Sequence, residues 1–396
     1  MANILIWPDI NFEPGHWRPV MAMANKLKNN HTIKFLCTPD CASIIDGYEF
    51  DYVNIFEEYY PLGYSTLIFE KPEEMRSRID HCVKIADGYL DDIITDFRPD
   101  LLLAGYFVSL EAQLIKYRYN LQYMITTTYL RHPENSPAAM SLRFLAANPP
   151  EISTRLMKKA TGLGYAGTFN EMQVFTQPIN DVNELITCPR EFDFSEFIHL
   201  PNTHYVEPSI LVDDGSVTSP GSSWKVIYTS AGSRVRDYLE SARNMFKILE
   251  QTISLGGMEN RFLRMAVGHT LEEDFSNKPR IQIVNWAYQT GELKIASSAV
   301  VHGGLASIKE CIFFGVPTVI IPLGKDQIEN ANRVLTKRIG AIAILENLDE
   351  NRMARAIMEA ETNQVIRGNL QRMKDVFVKI EEDAPSLEII DNYLNA

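Results

Sequence analysis

The feature that most restricts the fold is a short one. The apolar run Ala299-Val300-Val301 stops at His302-Gly303-Gly304 and is followed by residues at helical spacing to about Phe314. That order reads as a buried strand, a tight turn and a helix start. A strand feeding a helix in this way belongs to a βα repeat, which implies a parallel sheet. Gly303 and Gly304 lack Cβ atoms, so the backbone there can take unusual dihedrals and an anion can approach its N–H groups. The following helix, expected from about Leu305, offers unpaired N–H groups and roughly half a positive charge at its tip, which suits a pyrophosphate. Ser307 adds a hydroxyl donor. Glu310 lies about one turn further on, where a carboxylate can accept hydrogen bonds from ribose hydroxyls.

Plainer readings compete at each residue. Ser307-Ile-Lys-Glu310 also matches the Ser-x-x-Glu capping box. Asp326 with Glu329 also reads as the N-cap of a helix beginning near Gln327. Trp286, at the end of the apolar run Ile281 to Val284, also reads as core or rim packing. The ordered combination points further than its parts: Trp286-Ala-Tyr-Gln289, then His302-Gly-Gly-Leu-Ala-Ser307-Ile-Lys-Glu310, then Gly315-Val-Pro317, Pro322 and Asp326-Gln327.

This combination resembles the nucleotide-sugar signature of the family-1 glycosyltransferases, and within them the bacterial natural-product branch. The pattern of Trp, His-x-Gly-x-Gly-Thr-x-x-Glu, Gly-Val-Pro, Pro and Asp/Glu-Gln is met without a gap, with Ser307 in place of threonine and Tyr288 in place of proline. The resemblance implies the GT-B fold, an α/β architecture of two Rossmann-like doubly wound parallel-sheet domains facing a cleft. It implies that Trp286 stacks on the base, that Gln289 and the Ala287 backbone border base or ribose, and that Glu310 holds the ribose. His302 and Ser307, with Gly303 and Gly304, would bind the diphosphate. Asp326 and Gln327 would bind hydroxyls of the transferred sugar.

The amino terminus repeats the pattern. Asn3-Ile-Leu-Ile-Trp7 reads as a buried strand, followed by the loop Pro14-Gly-His16-Trp-Arg-Pro19 and a helix to about Lys28, with Pro19 in its first turn. His16 is then placed at the carboxyl end of a strand, where open α/β sheets bind ligands. An imidazole can take an alcohol proton near neutral pH, and the Gly-His pair resembles the family's general base. The family commonly orients that base with an aspartate after the fourth strand, but Pro99-Asp-Leu-Leu-Leu-Ala-Gly105 ends in glycine. Glu111, Ser109 and Glu13 are the candidate substitutes, and an unaided base is the alternative.

A further strand-to-loop element, Trp224-Lys-Val-Ile-Tyr-Thr229 into Ser230-Ala-Gly-Ser-Arg234, resembles the family's second phosphate-facing turn, with Gly232 and Ser233 ranked above Arg234. Strands are expected near 3–7, 32–37, 101–105 and 122–127, and again near 225–229, 261–266, 281–285, 298–301, 317–321 and 341–344, with helices between. A helical stretch is expected over Glu73 to Phe97, with Asp91-Asp92 on its solvated face. Turn-rich composition between His204 and Ser223 marks the boundary. The expected organisation is an acceptor-binding domain at 1–208, a linker at 209–223 and a nucleotide-sugar-binding domain at 224–384. By the resemblance, a helix at 385–396 returns to the first domain.

A chain of 396 residues is comfortable for two domains. A net charge of −13 disfavours nucleic acid and anionic membrane surfaces. No apolar run reaches the roughly 18 residues of a membrane span and no leader pattern is evident, so a cytoplasmic protein is expected. Five scattered cysteines and no clustered metal ligands point to reduced thiols and metal-free chemistry without a cofactor. The aromatic loops carrying Tyr64, Phe107 and Tyr129 suit a lipophilic small-molecule acceptor, such as a polyketide, macrolide or phenol. The reaction implied is inverting transfer of a hexose or deoxyhexose from a UDP- or TDP-sugar. The alternatives are a catalytically weak nucleotide-sugar-binding partner protein and a nucleotide-sugar epimerase. Oligomeric state is open.

Overall fold

The computed structural model describes residues 1–66, 71–130, 150–165, 182–195, 201–212, 215 and 217–396. The chain divides into two compact units. The first comprises Met1–Thr187, Ile198–Ser209 and Ala384–Ala396, and the second Cys188–Phe197 and Ile210–Asp383.

Among the described residues, the first unit is built on strands β1 (Asn3–Trp7), β2 (Thr32–Cys37), β3 (Asp51–Asn54), β4 (Leu101–Gly105), β5 (Tyr123–Thr127), β6 (Glu184–Ile186) and β7 (Thr203–Tyr205). They form one sheet in the order β3-β2-β1-β4-β5-β6-β7, every pair parallel. Ile4, Leu5, Ile6 and Trp7 of β1 and Leu101 to Ala104 of β4 are all fully buried. That is the continuous apolar run expected of strands covered on both faces. The strand order reverses between β1 and β4, which opens a crevice at their carboxyl ends.

The second unit repeats the scheme with β8 (Lys225–Ser230), β9 (Arg261–Ala266), β10 (Ile281–Val284), β11 (Ala296–Val301), β12 (Thr318–Ile320) and β13 (Ala341–Ile342). Their order is β10-β9-β8-β11-β12-β13, again all parallel. Here the reversal falls between β8 and β11. Each unit has its own apolar core beneath its helices.

All ten expected strands are present, several with shifted ends. Three were not expected: β3, with no fully buried residue, and the three-residue β6 and β7. The stretch expected as one helix over 73–97 is two, Lys71–Ala86 and Asp91–Phe97, separated by Gly88 at φ +100°. The first helix begins at Pro14 rather than near Pro19, so His16 sits in its opening turn and not in a loop. Pro14 explains this, since its fixed φ and missing N–H suit a helix start. Pro19 lies in the interior, where the Gly15 carbonyl loses its usual helical donor.

The expected 1–208 domain gives up Cys188–Phe197 to the second unit. A buried ion pair draws it there: Asp193 accepts from Arg333 Nε at 2.8 Å, and Phe192 meets Phe377 edge-on. The terminal helix Pro385–Leu394 belongs to the first unit, with Ser386 donating its N–H and hydroxyl to the buried Glu207 carboxylate and Asp391 paired to His31. No helix among the described residues is long and apolar enough to cross a membrane.

Candidate functional site

Two loops leave the sheet of the second unit at the β8/β11 reversal. In the first, Ser230 Oγ accepts the Gly232 N–H at 3.1 Å. In the second, His302-Gly303-Gly304 leads into the helix Leu305–Phe314. The His302 ring lies against both: a Cβ on Gly232 would come within 2.4 Å of its Cε1, and one on Gly304 within 2.5 Å of its Nε2. Gly303 holds φ +94°, a conformation side chains rarely adopt. The imidazole therefore dictates two of these glycines and the backbone the third.

Gly304 is the N-cap, and no side chain caps the helix. The N–H groups of Leu305 to Ser307 have no acceptor within the helix, which is the arrangement an anion can use. Ser307 stands in the first turn rather than at the cap, so the capping-box reading fails. His302 is partly buried, and its Nδ1 is buried with no hydrogen-bond partner. Burial pushes its pKa down to about 4, against the upward pull of Asp326. Near neutral pH the ring is uncharged, with a single N–H to donate and one bare nitrogen to accept.

Gln289 opens the helix Gln289–Ile295 and ties three elements together. Its Nε2 donates to Ser307 Oγ at 3.1 Å and Glu310 Oε2 at 2.5 Å, while its Oε1 accepts from the buried Tyr228 hydroxyl at 3.2 Å. Ser307, Glu310 and Gln289 are thus one preorganised polar group. Beside it the Trp286 side chain is 57% exposed, which removes the core-packing reading and leaves a flat apolar surface open. Ala287 follows in the same loop. Tyr288 packs over Gly215, where a Cβ would meet its ring at 2.7 Å.

Asp326 precedes the helix Gln327–Lys337 but makes no side-chain cap bond, so the plain-cap reading fails as well. Its Oδ2 accepts from Asn330 Nδ2 at 2.8 Å, and the same amide donates to the Gly303 carbonyl at 3.1 Å. Asn330, missed from sequence, links the expected sugar-binding carboxylate to the glycine turn; its i+4 spacing from Asp326 was the available signal. Gln327 is buried, and its Oε1 accepts the N–H groups of Leu323 and Gly324. Its carbonyl oxygen shapes the loop. Ser233 is exposed, and Arg234 and Lys325 share the Asp237 carboxylate at 3.0 and 2.6 Å.

In the first unit, His16 Nδ1 lies 2.5 Å from Asp9 Oδ2. Asp9 was not among the expected partners. It sits in the loop after β1 with its side chain 4% exposed, against 27% for His16. Phe107 stacks on the imidazole at 4.9 Å between centroids, and Tyr129 packs on Phe107 and Tyr106. The structure thus stacks Phe107 on His16 and packs Tyr129 on Phe107. Tyr64 is placed in the buried core against Tyr60. Glu111, one expected substitute, is instead held by Arg78 at 2.9 and 3.0 Å and by His81 at 2.9 Å. Burial alone would raise its pKa, but those partners bring it down to about 2. His81 and Glu111 with Cys82 are close enough to hold a metal, yet the guanidinium already occupies both carboxylate oxygens.

Residues 221–386 match the family described as "UDP-glucoronosyl and UDP-glucosyl transferase". The match contains every element of the candidate site at the β8/β11 reversal. That segment is a UDP-glycosyltransferase domain by its likeness to the family. Among UDP-glycosyltransferases, an 83-residue stretch is 40% identical to UDP-glucuronosyltransferase 3A1 of Xenopus laevis, covering 20% of this chain and 16% of that protein. The chain therefore aligns with about a sixth of the relative's length. The glycotransferase of kitacinnamycin superposes with a TM-score of 0.79 at 17% identity, covering 99% of this chain and 98% of the other. The calicheamicin glycosyltransferase CalG4 gives 0.76 at 16% identity, covering 100% and 98%. At such identities the likeness is one of fold, and it assigns both doubly wound units to GT-B.

Proposed function

We propose that this UDP-glycosyltransferase relative is a metal-independent, inverting glycosyltransferase that moves a hexose or deoxyhexose from a UDP- or TDP-sugar to a hydroxyl of a lipophilic small molecule. One observation carries the reading: an uncapped helix tip at the β8/β11 reversal, with a neutral, unpartnered His302 nitrogen wedged between Gly232 and Gly304. That arrangement suits a diphosphate, which needs close backbone approach and aimed donors. Glu310 and Gln289 supply a ribose site, and Trp286 a surface for the base. Asp326 supplies an acceptor for sugar hydroxyls.

His16 takes the proton of the acceptor hydroxyl, and the oxygen attacks the anomeric carbon as the C–O bond to the diphosphate breaks. The leaving group's charge develops where the helix tip and His302 can stabilise it. A single displacement inverts the anomeric centre. Phe107 against His16, with Tyr129 packed on Phe107, supports a flat apolar acceptor. The Asp9–His16 pair favours this reading over that of a catalytically weak binding partner.

A panel of UDP- and TDP-sugars tested by thermal shift, then by transfer to mixed phenols and polyketides, decides the matter. A genuine donor raises the melting temperature with concentration. His16→Ala should lower transfer by roughly 10² to 10⁴ while leaving donor affinity intact. A variant as active as the parent would refute the assignment of the base.

A further inference from the structure

We propose that Asp9 is the positioning residue for His16, supplied from the loop after β1 because the end of β4 cannot carry a carboxylate in this chain. The inference rests on the reading of His16 given above. Its first support is steric. A Cβ at Gly105 would stand 1.7 Å from the Pro8 carbonyl oxygen and 2.7 Å from its carbon, both backbone atoms that cannot swing aside. Any side chain at the end of β4 would displace the loop that begins at Pro8. The place is taken by backbone, and the next residue of that same loop is the aspartate.

The second support is that every degree of freedom of Asp9 is fixed. Oδ1 accepts the Asn11 N–H at 3.0 Å, and Oδ2 faces His16 Nδ1 at 2.5 Å. Asn11 is held in turn, its carbonyl accepting Trp17 Nε1 at 3.0 Å and the Glu13 N–H at 2.9 Å. The carboxylate is buried and the imidazole is gripped on its flat face by Phe107. The Phe107 carbonyl accepts from Arg78 at 2.6 Å, which ties the stacking ring to the buried Arg78–Glu111–His81 group. With Nδ1–H committed to Asp9, Nε2 carries the lone pair that takes the acceptor's proton. Asp9 sets the tautomer and orientation and stabilises the imidazolium formed.

Of the competing sources, Glu111 is bound by Arg78 and His81. Ser109 is buried in the helix Ser109–Tyr119. The sequence separation of seven between Asp9 and His16 places both at the β1/β4 reversal.

The test uses the full chain as wild type, Asp9→Asn, Asp9→Glu and His16→Ala, each checked for an unchanged melting profile. Imidazole ¹⁵N NMR reads the tautomer directly. Wild type should show His16 protonated at Nδ1 and bare at Nε2, and Asp9→Asn should lose that preference. Transfer is assayed with UDP-glucose and TDP-glucose onto a naphthol. Asp9→Asn should lower kcat by about 10² or more while KM and donor affinity stay within about twofold. The acid limb of its kcat profile should move to lower pH, since removal of the carboxylate makes the ring less basic. Asp9→Glu should recover part of the loss, and the Asp9→Asn, His16→Ala double variant should be no slower than His16→Ala alone. A wild-type tautomer ratio and kcat in Asp9→Asn, with His16→Ala inactive, would overturn the role of Asp9 and leave the glycosyltransferase reading standing. A His16→Ala variant as active as wild type would overturn that reading instead.

Discussion

At the residue scale, the site depends on what one imidazole excludes. Gly232→Ala and Gly304→Ala each drive a methyl group into the His302 ring. Each should weaken UDP or TDP binding by about tenfold or more, with a modest loss of stability, as measured by calorimetric titration. Gly232 also holds φ +82°, so its variant should be the less stable of the two. His302 carries a pH signature as well. Its folded pKa, near 4, lies below the ordinary value of 6.5. Above 6.5 neither folded nor unfolded chain protonates it, and its contribution is constant. Between 6.5 and about 4 the unfolded chain takes up a proton that the folded chain does not, so stability falls with pH. His302→Asn should flatten that part of the stability curve, read by urea unfolding across pH 4 to 7; an unchanged slope would contradict a buried, neutral ring. Of these residues, His302, both glycines, Ser307 and Glu310 were legible in sequence because strand, turn and helix tip are contiguous. Asp9, Tyr228 and Asn330 were not, because each acts through a contact that only the fold creates.

At the scale of elements, long apolar strands were readable and short or edge strands were not. β1 and β4 announce themselves as runs of buried aliphatic residues, whereas β6 and β7 have three residues each and borrow their pairing from neighbours. The helix at Pro14 was placed late because Pro19 drew the start towards itself, although Pro14 is the better first-turn proline. Beneath the helix Ser109–Tyr119, the Arg78–Glu111–His81 group is a fully internal ion network, and His81 also meets Tyr60 at 2.7 Å. Breaking it leaves a buried charge without its partner. Arg78→Met should therefore cost about 3–5 kcal/mol of unfolding free energy, whereas replacing Arg78 and Glu111 together with apolar residues should cost less. A double-mutant cycle in urea measures the difference, and additive losses would contradict the network.

For the whole molecule, two doubly wound sheets each place a candidate site at the point where strand order reverses: the Asp9–His16 pair beside β1 and β4, and the glycine-bordered helix tip beside β8 and β11. This repetition was legible from two successive series of strands. The exact partition was not, because Cys188–Phe197 joins the second unit through a buried ion pair with no local sequence signal. The central claim is that the tip of the helix Leu305–Phe314 receives a nucleoside diphosphate. Hydrogen exchange followed by mass spectrometry, on the full chain with and without saturating UDP or TDP, tests it most directly. Slowed exchange is expected at 230–234, 286–289 and 302–310, with the amides of Leu305 to Ser307 most protected. Nucleotide binding without protection at 302–310, or no binding by either nucleotide, would contradict the account.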